Sequence, residues 1–173
     1  MAGLDLAIEA NTNPQSPYFG RIDTESVAVG GHSCGGGQAL FAVTQDDRID
    51  TIMIHNAGVF IESPPPDNLL MSDLANLTKP MIYITGGPTD IAYPHTVRNF
   101  PLVEDAPFAY LNIDVGHGGT FLQPNGGAVA QVSVDWLDWQ LKGSEAGARR
   151  FVGPDCLLCS DPEWTYRTKN IDG

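Results

Sequence analysis

Apolar residues fall along this chain in short blocks separated by polar and Gly/Pro-rich stretches. Four blocks are too short for helices and rich in β-branched or aromatic residues: 26–30, 51–57, 81–85 and 108–113. The second and third are almost continuously apolar, as strands buried on both faces of a parallel sheet are. Between and around them the period changes. Residues 3–11 place Leu4, Leu6, Ala7 and Ile8 together with Asp5 and Glu9 opposite, a short amphipathic helix. Residues 38–43 read as the apolar face of a helix running to about Thr44, and 94–103 as a helical or irregular stretch. Residues 127–141 give the clearest helix. Val129, Val132, Trp136 and Trp139 recur at spacings of three and four, Asp135 and Asp138 lie opposite, and Gly143 stands where a C′ glycine would end it. The three consecutive prolines in 58–68 demand an irregular loop, and 69–77 has room for a short helix. The tail from Ser144 shows little periodicity and is expected to wrap the surface irregularly. No internal repeat is present.

Strands separated by crossover segments imply an α/β fold with a parallel sheet of about four strands, flanking helices and right-handed connections. Sites in such sheets lie beyond the C-terminal ends of the strands. The chain has 173 residues, enough for one domain with its own core. Its net charge of −12 disfavours nucleic acid and anionic membrane surfaces as partners. No run of 18 apolar residues suggests a membrane span. The N-terminus lacks the basic and apolar regions of a signal peptide. The chain as it stands therefore reads as cytoplasmic, or as secreted if its natural start is missing. Three cysteines do not make a disulfide framework. Cys156 and Cys159 have C-x-x-C spacing without a second metal-ligand pair nearby, so a local disulfide or two free thiols is expected there. Neither a metal nor a cofactor is expected.

The chemistry concentrates at the strand ends. Gly31-His32-Ser33-Cys34-Gly35 matches Gly-x-Ser-x-Gly, with a strand before it and a helix after it. That is the context of a nucleophile elbow, in which a strained Ser stands at the tip of a tight turn above a helix N-terminus. A phosphate-binding loop is the rival reading, but no Gly-Lys-Ser/Thr ending follows. After the third strand comes Gly86-Gly87-Pro88-Thr89-Asp90, and after the fourth Gly116-His117-Gly118-Gly119. Ser33, Asp90 and His117 thus share one edge of the sheet in the order Ser, Asp, His. A neutral imidazole can take the serine proton, and a buried carboxylate can fix the imidazole tautomer. The Cys34 backbone N–H is placed as an oxyanion donor. Asp114 is the rival acid, more simply read as a strand-end residue. His32 is expected to pack or hydrogen-bond locally, and together with Tyr93 to contact substrate. His55 reads as a satisfied core histidine and His95 as a surface one.

At these motifs the chain resembles the α/β-hydrolase superfamily, in particular its dienelactone-hydrolase, cutinase and polyester-hydrolase branch. The resemblance covers about residues 3–142. It implies hydrolysis of small acyl or aryl carboxylic esters through an acyl-enzyme carried by Ser33, Asp90 and His117. Dienelactone hydrolases proper use a Cys nucleophile, so Ser33 points to the esterase side. The same resemblance implies that residues 1–173 are a single truncated domain with an irregular tail over 144–173. The family's first four strands, and the loop giving the second oxyanion donor, have no counterpart upstream of Ser33. A free apolar edge would follow on strand 26–30, and a homodimer or higher homo-oligomer pairing there is expected. The alternative is a catalytically weak or inactive remnant of a larger hydrolase that needs a partner segment.

Overall fold

The computed structural model describes residues 2–59 and 71–171. Five strands form one sheet in the order β1 (Ala28–His32), β2 (Thr51–His55), β3 (Met81–Thr85), β4 (Phe108–Asn112) and β5 (Thr165–Lys169). The first four are parallel, each joined to the next by a crossover, and β5 lies antiparallel to β4. The helices are α1 (Ala2–Thr12), α2 (Cys34–Val43), α3 (Tyr93–Leu102), α4 (Gly127–Lys142), α5 (Glu145–Ala148) and α6 (Leu157–Ser160). The fold is α/β, as the spacing of the apolar blocks implies.

Successive strand residues point to opposite faces, and the two faces carry two cores. Met81, Tyr83, Phe108 and Tyr110 turn toward one side, where Ala39, Leu40 and Val43 of α2 pack with Leu74 and Val103. Ile82, Ile84, Ala109 and Leu111 turn to the other, against Val129, Val132 and Trp136 of α4 and Phe151, Leu158 and Trp164 beyond it. Burying each such large side chain contributes about 1.5–3 kcal/mol relative to leaving it in water. The Trp136 indole N–H is satisfied by Thr51 Oγ1 at 2.8 Å, which ties α4 to the start of β2. Gly143 ends α4 in the left-handed region at φ 63°, its N–H on the Trp139 carbonyl at 2.9 Å.

Several expectations need correction. The first strand begins two residues later than 26–30 and continues to His32. The Val27 carbonyl instead accepts from Asp50 N–H at 2.8 Å, and Ser33 N–H closes the strand on the His55 carbonyl at 3.0 Å. The helix at 2–12 exists, but none of its residues is fully buried and Leu6 is 64% exposed, so its apolar side does not join the core. The tail is not irregular. It forms α5 and α6, delivers Phe151, Leu158 and Trp164 to the second core, and returns as β5, which makes the sheet mixed rather than wholly parallel. Residues 71–76 form a 3₁₀ segment where a short helix had room. Most of the proline loop at 58–68 lies outside the described residues. Cys156 and Cys159 are joined as a local disulfide.

Candidate active site

Three loops converge beyond the C-terminal ends of β1, β3 and β4. The first is the turn from β1 into α2. Ser33 occupies it at φ 54°, ψ −122°, a conformation costly for a residue with a Cβ. Two glycines make the turn possible. A Cβ on Gly31 would lie 2.2 Å from the Gly35 carbonyl, and one on Gly36 would lie 2.4 Å from Ala57 Cβ. The Ser33 carbonyl accepts from Gly36 N–H at 2.9 Å and starts the helix. The N–H groups of Cys34 and Gly35 precede the first intrahelical bond, and no described residue accepts from either.

The loops after β3 and β4 touch. Gly116 N–H donates to the Gly86 carbonyl at 2.7 Å, and a Cβ on Gly86 would meet the Gly116 carbonyl oxygen at 1.9 Å. This contact places His117 between the other two groups. Its Nε2 is 3.0 Å from Ser33 Oγ and its Nδ1 is 2.6 Å from Asp90 Oδ1. The carboxylate can only accept, so the proton sits on Nδ1 and Nε2 is left to accept from the serine hydroxyl. The Asp90 side chain is fully buried, whereas that of His117 is 29% exposed. Burial alone would raise the Asp90 carboxyl. The donors around it outweigh burial and hold it below the ordinary value: Ala92 N–H at 2.9 Å, the His117 ring, Gly86 N–H at 3.0 Å and the Asn56 amide at 2.8 Å. Asp114, the rival acid, packs against Gly87 and makes no hydrogen bond to His117.

His32 bonds not within its own turn but to the loop after β4, its Nε2 2.7 Å from the His117 carbonyl oxygen, with its ring 4.9 Å from the His117 ring and 5.2 Å from Phe121. Tyr93 lies elsewhere. It lines a small cavity of about 80 Å³ with Val97, Phe100, Tyr110 and Arg167, between α3 and β5. No hydrogen bond or ring contact joins it to Ser33 or His117 among the described residues. His55 is nearly buried and bonded to Ser133 Oγ at 2.9 Å. Burial, with His32 adding, pushes its imidazole down to about 4. Its ring also meets Phe121 edge-on at 5.7 Å. Phe121, whose ring meets those of His32 and His55, is 42% exposed, and Leu122, next to it in the chain, is 101% exposed.

The residues that the sequence did not single out are Asn56 and Phe121. Asn56 ends β2 at φ 48°, a region that Asn tolerates better than most residues. An Asn closing an apolar strand is the one local signal that could have drawn attention to it. Among the described residues no group of three or more His, Cys, Asp or Glu is arranged to hold a metal ion. Comparison with known proteins finds no matching family model and no matching curated sequence.

Proposed function

We propose that this protein is a serine esterase of α/β-hydrolase type, acting on small acyl or aryl carboxylic esters. The reading is supported above all by the continuous hydrogen-bonded line from buried Asp90 through His117 to Ser33, a strained serine at the tip of a strand–helix turn. In this reading His117 Nε2 takes the Ser33 proton as Oγ attacks the ester carbonyl carbon. The oxyanion of the tetrahedral intermediate faces the Cys34 N–H. One such donor is worth about 3–4 kcal/mol in the transition state. Collapse expels the alcohol, which takes the proton from His117, and leaves the acyl group on Ser33. Water, deprotonated by the same imidazole, then releases the acid. The carboxylate of Asp90 stays ionised and holds the imidazole in the tautomer that the first step needs. Apolar surface at Phe121 and Leu122 suits an apolar acyl or aryl group. Hydrolysis of p-nitrophenyl acetate and butyrate by the parent protein, beside Ser33→Ala prepared identically, tests the reading. Turnover confined to the parent supports it, and equal rates refute it.

The edge of the sheet favours a further element of this reading, a homo-oligomer. Val27 and Ser33 direct their backbone groups toward β2, so the alternation of a parallel strand turns those of Ala28, Gly30 and His32 outward. No described residue pairs with them. The strand carries no Lys, Pro or bulge to guard this edge. A second copy running antiparallel, with Gly30 opposite Gly30, would satisfy all three positions at once beside each Ser33. Sedimentation at micromolar concentration is expected to show a dimer that Ala28→Pro dissociates, and a monomeric parent would end this part of the reading.

A further inference from the structure

Asn56 does something that the esterase reading does not yet use. Its side-chain amide nitrogen donates to Asp90 Oδ2 at 2.8 Å and to the Gly116 carbonyl at 3.2 Å. One NH₂ group therefore joins three segments: the end of β2, the loop carrying the acid, and the residue immediately before His117. The orientation of the amide is fixed by these partners. Turned over, Asn56 would set its own oxygen against a carboxylate and a carbonyl, neither of which can donate. The cost of the arrangement is visible on the other atom. Asn56 is 1% exposed, and no described residue donates to its Oδ1. The backbone is bent to the same purpose. At φ 48° Asn56 leaves the strand direction while its own N–H stays on the Ile84 carbonyl at 2.8 Å.

Resting on the esterase reading of Ser33, His117 and Asp90, we propose that Asn56 is a positioning residue that fixes the Asp90 carboxylate and the His117 loop in one register. Asp90 Oδ1 is held by Ala92 N–H and shared with His117, whereas Oδ2 is held by Gly86 N–H and Asn56. Removing the Asn56 donors leaves Oδ2 with one backbone partner and unties Gly116 from the carboxylate. The carboxylate can then swing about its terminal torsion, and His117 loses the fixed direction of its Nδ1–H. Misplacement of a reacting group by about 1 Å costs roughly a hundredfold in rate.

Two variants test this. Asn56→Leu keeps the branching and the number of heavy atoms and removes both donors. Asn56→Asp keeps the shape and makes donation depend on protonation. The titratable groups facing position 56 are Asp90 from the loop after β3 and, through it, His117 from the loop after β4. His55 precedes it in the chain and turns toward Ser133. A protonated Asp at 56 can donate to Asp90, and an ionised one repels it. With p-nitrophenyl acetate, Asn56→Leu is expected to lower kcat roughly tenfold to a hundredfold with KM within about twofold, at a constant ratio to the parent across pH. For Asn56→Asp the ratio to the parent falls as pH rises from 5.5 to 8.5, with the folded fraction checked by circular dichroism at each pH. Parental kcat in Asn56→Leu, or a flat ratio in Asn56→Asp, overturns the proposal. A second readout does not depend on turnover. The short His117 Nδ1–Asp90 Oδ1 hydrogen bond is expected to give a far-downfield proton resonance, which Asn56→Leu should shift or broaden away. Its persistence unchanged in that variant overturns the role of Asn56 even if the parent hydrolyses no ester, and that lack of hydrolysis would count against the esterase reading alone.

Discussion

Gly31→Ala is the substitution through which the turn at Ser33 can be tested most sharply. The added methyl would sit 2.2 Å from both the carbonyl carbon and the carbonyl oxygen of Gly35, and 2.7 Å from Gly36 N. These are backbone atoms in the first turn of α2, so no side-chain rotation relieves the contact. Reaching ordinary van der Waals separation requires the end of β1 and the start of α2 to part by about 1 Å. Overpacking of this kind costs about 1–3 kcal/mol, which for a chain of this size lowers Tm by about 2–12 °C. The same displacement acts on the 3.0 Å approach of Ser33 Oγ to His117 Nε2. A loss of roughly a hundredfold in kcat/KM is expected. Gly35→Ala is the control in the same turn. Its Cβ would meet nothing within 4 Å and its backbone is not left-handed. Replacing a helical glycine there should leave activity within about twofold and raise stability by about 0.4–1 kcal/mol. Thermal melts and p-nitrophenyl acetate kinetics on the two variants decide the matter. If Gly31→Ala melts and turns over like the parent, the close strand–helix approach around Ser33 is wrong.

Two pH-dependent predictions follow from the buried groups. Asp90 has its carboxyl held below the ordinary value in the folded protein, so the stability it contributes is present above about pH 4 and is lost as pH falls through its folded value. Asp90→Asn should therefore flatten the acid side of a urea-midpoint series from pH 6 to 3, and should lower kcat by on the order of 10³–10⁴ by allowing the wrong imidazole tautomer. An acid limb unchanged from the parent would refute the assignment. His55 is held neutral down to about 4, whereas the unfolded chain takes up the proton near 6.5. Between those values the unfolded state binds more protons, so stability rises with pH across the window, by about 3 kcal/mol in full. His55→Gln should remove that slope, as read by denaturant midpoints at pH 4.5, 5.5 and 6.5. An unaltered slope would place the proton uptake elsewhere.

The strands were legible because each reports a local fact. Met81 and Tyr83 of β3 face one core and Ile82 and Ile84 the other, and only a sheet covered on both sides accommodates such a run. Ser33, Asp90 and His117 were legible because glycines mark each turn and the parallel topology sends all three turns to one edge. The return of the tail as β5 was not. Thr165-Tyr166-Arg167-Thr168-Lys169 is a half-exposed edge strand with two cations, and it reaches Phe108–Asn112 after α5 has packed on α4 and Leu158 and Trp164 have joined the second core, a tertiary matter. Asn56 was missed because its role lies in two acceptors that are 34 and 60 residues away in the chain. Tyr93 was expected beside substrate. The turn made by Tyr93 N–H on the Asp90 carbonyl, at 3.0 Å, instead starts α3, and the ring lies in the cavity beside β5.

The nucleophilic character of Ser33 is the claim on which the rest depends. An organofluorophosphonate reacts with a serine hydroxyl only where a neighbouring base takes its proton and fluoride leaves. Intact-mass and peptide analysis after brief exposure is expected to show a single adduct, on Ser33, that disappears in His117→Ala. No adduct on the folded parent, or one on a different residue, would contradict the account.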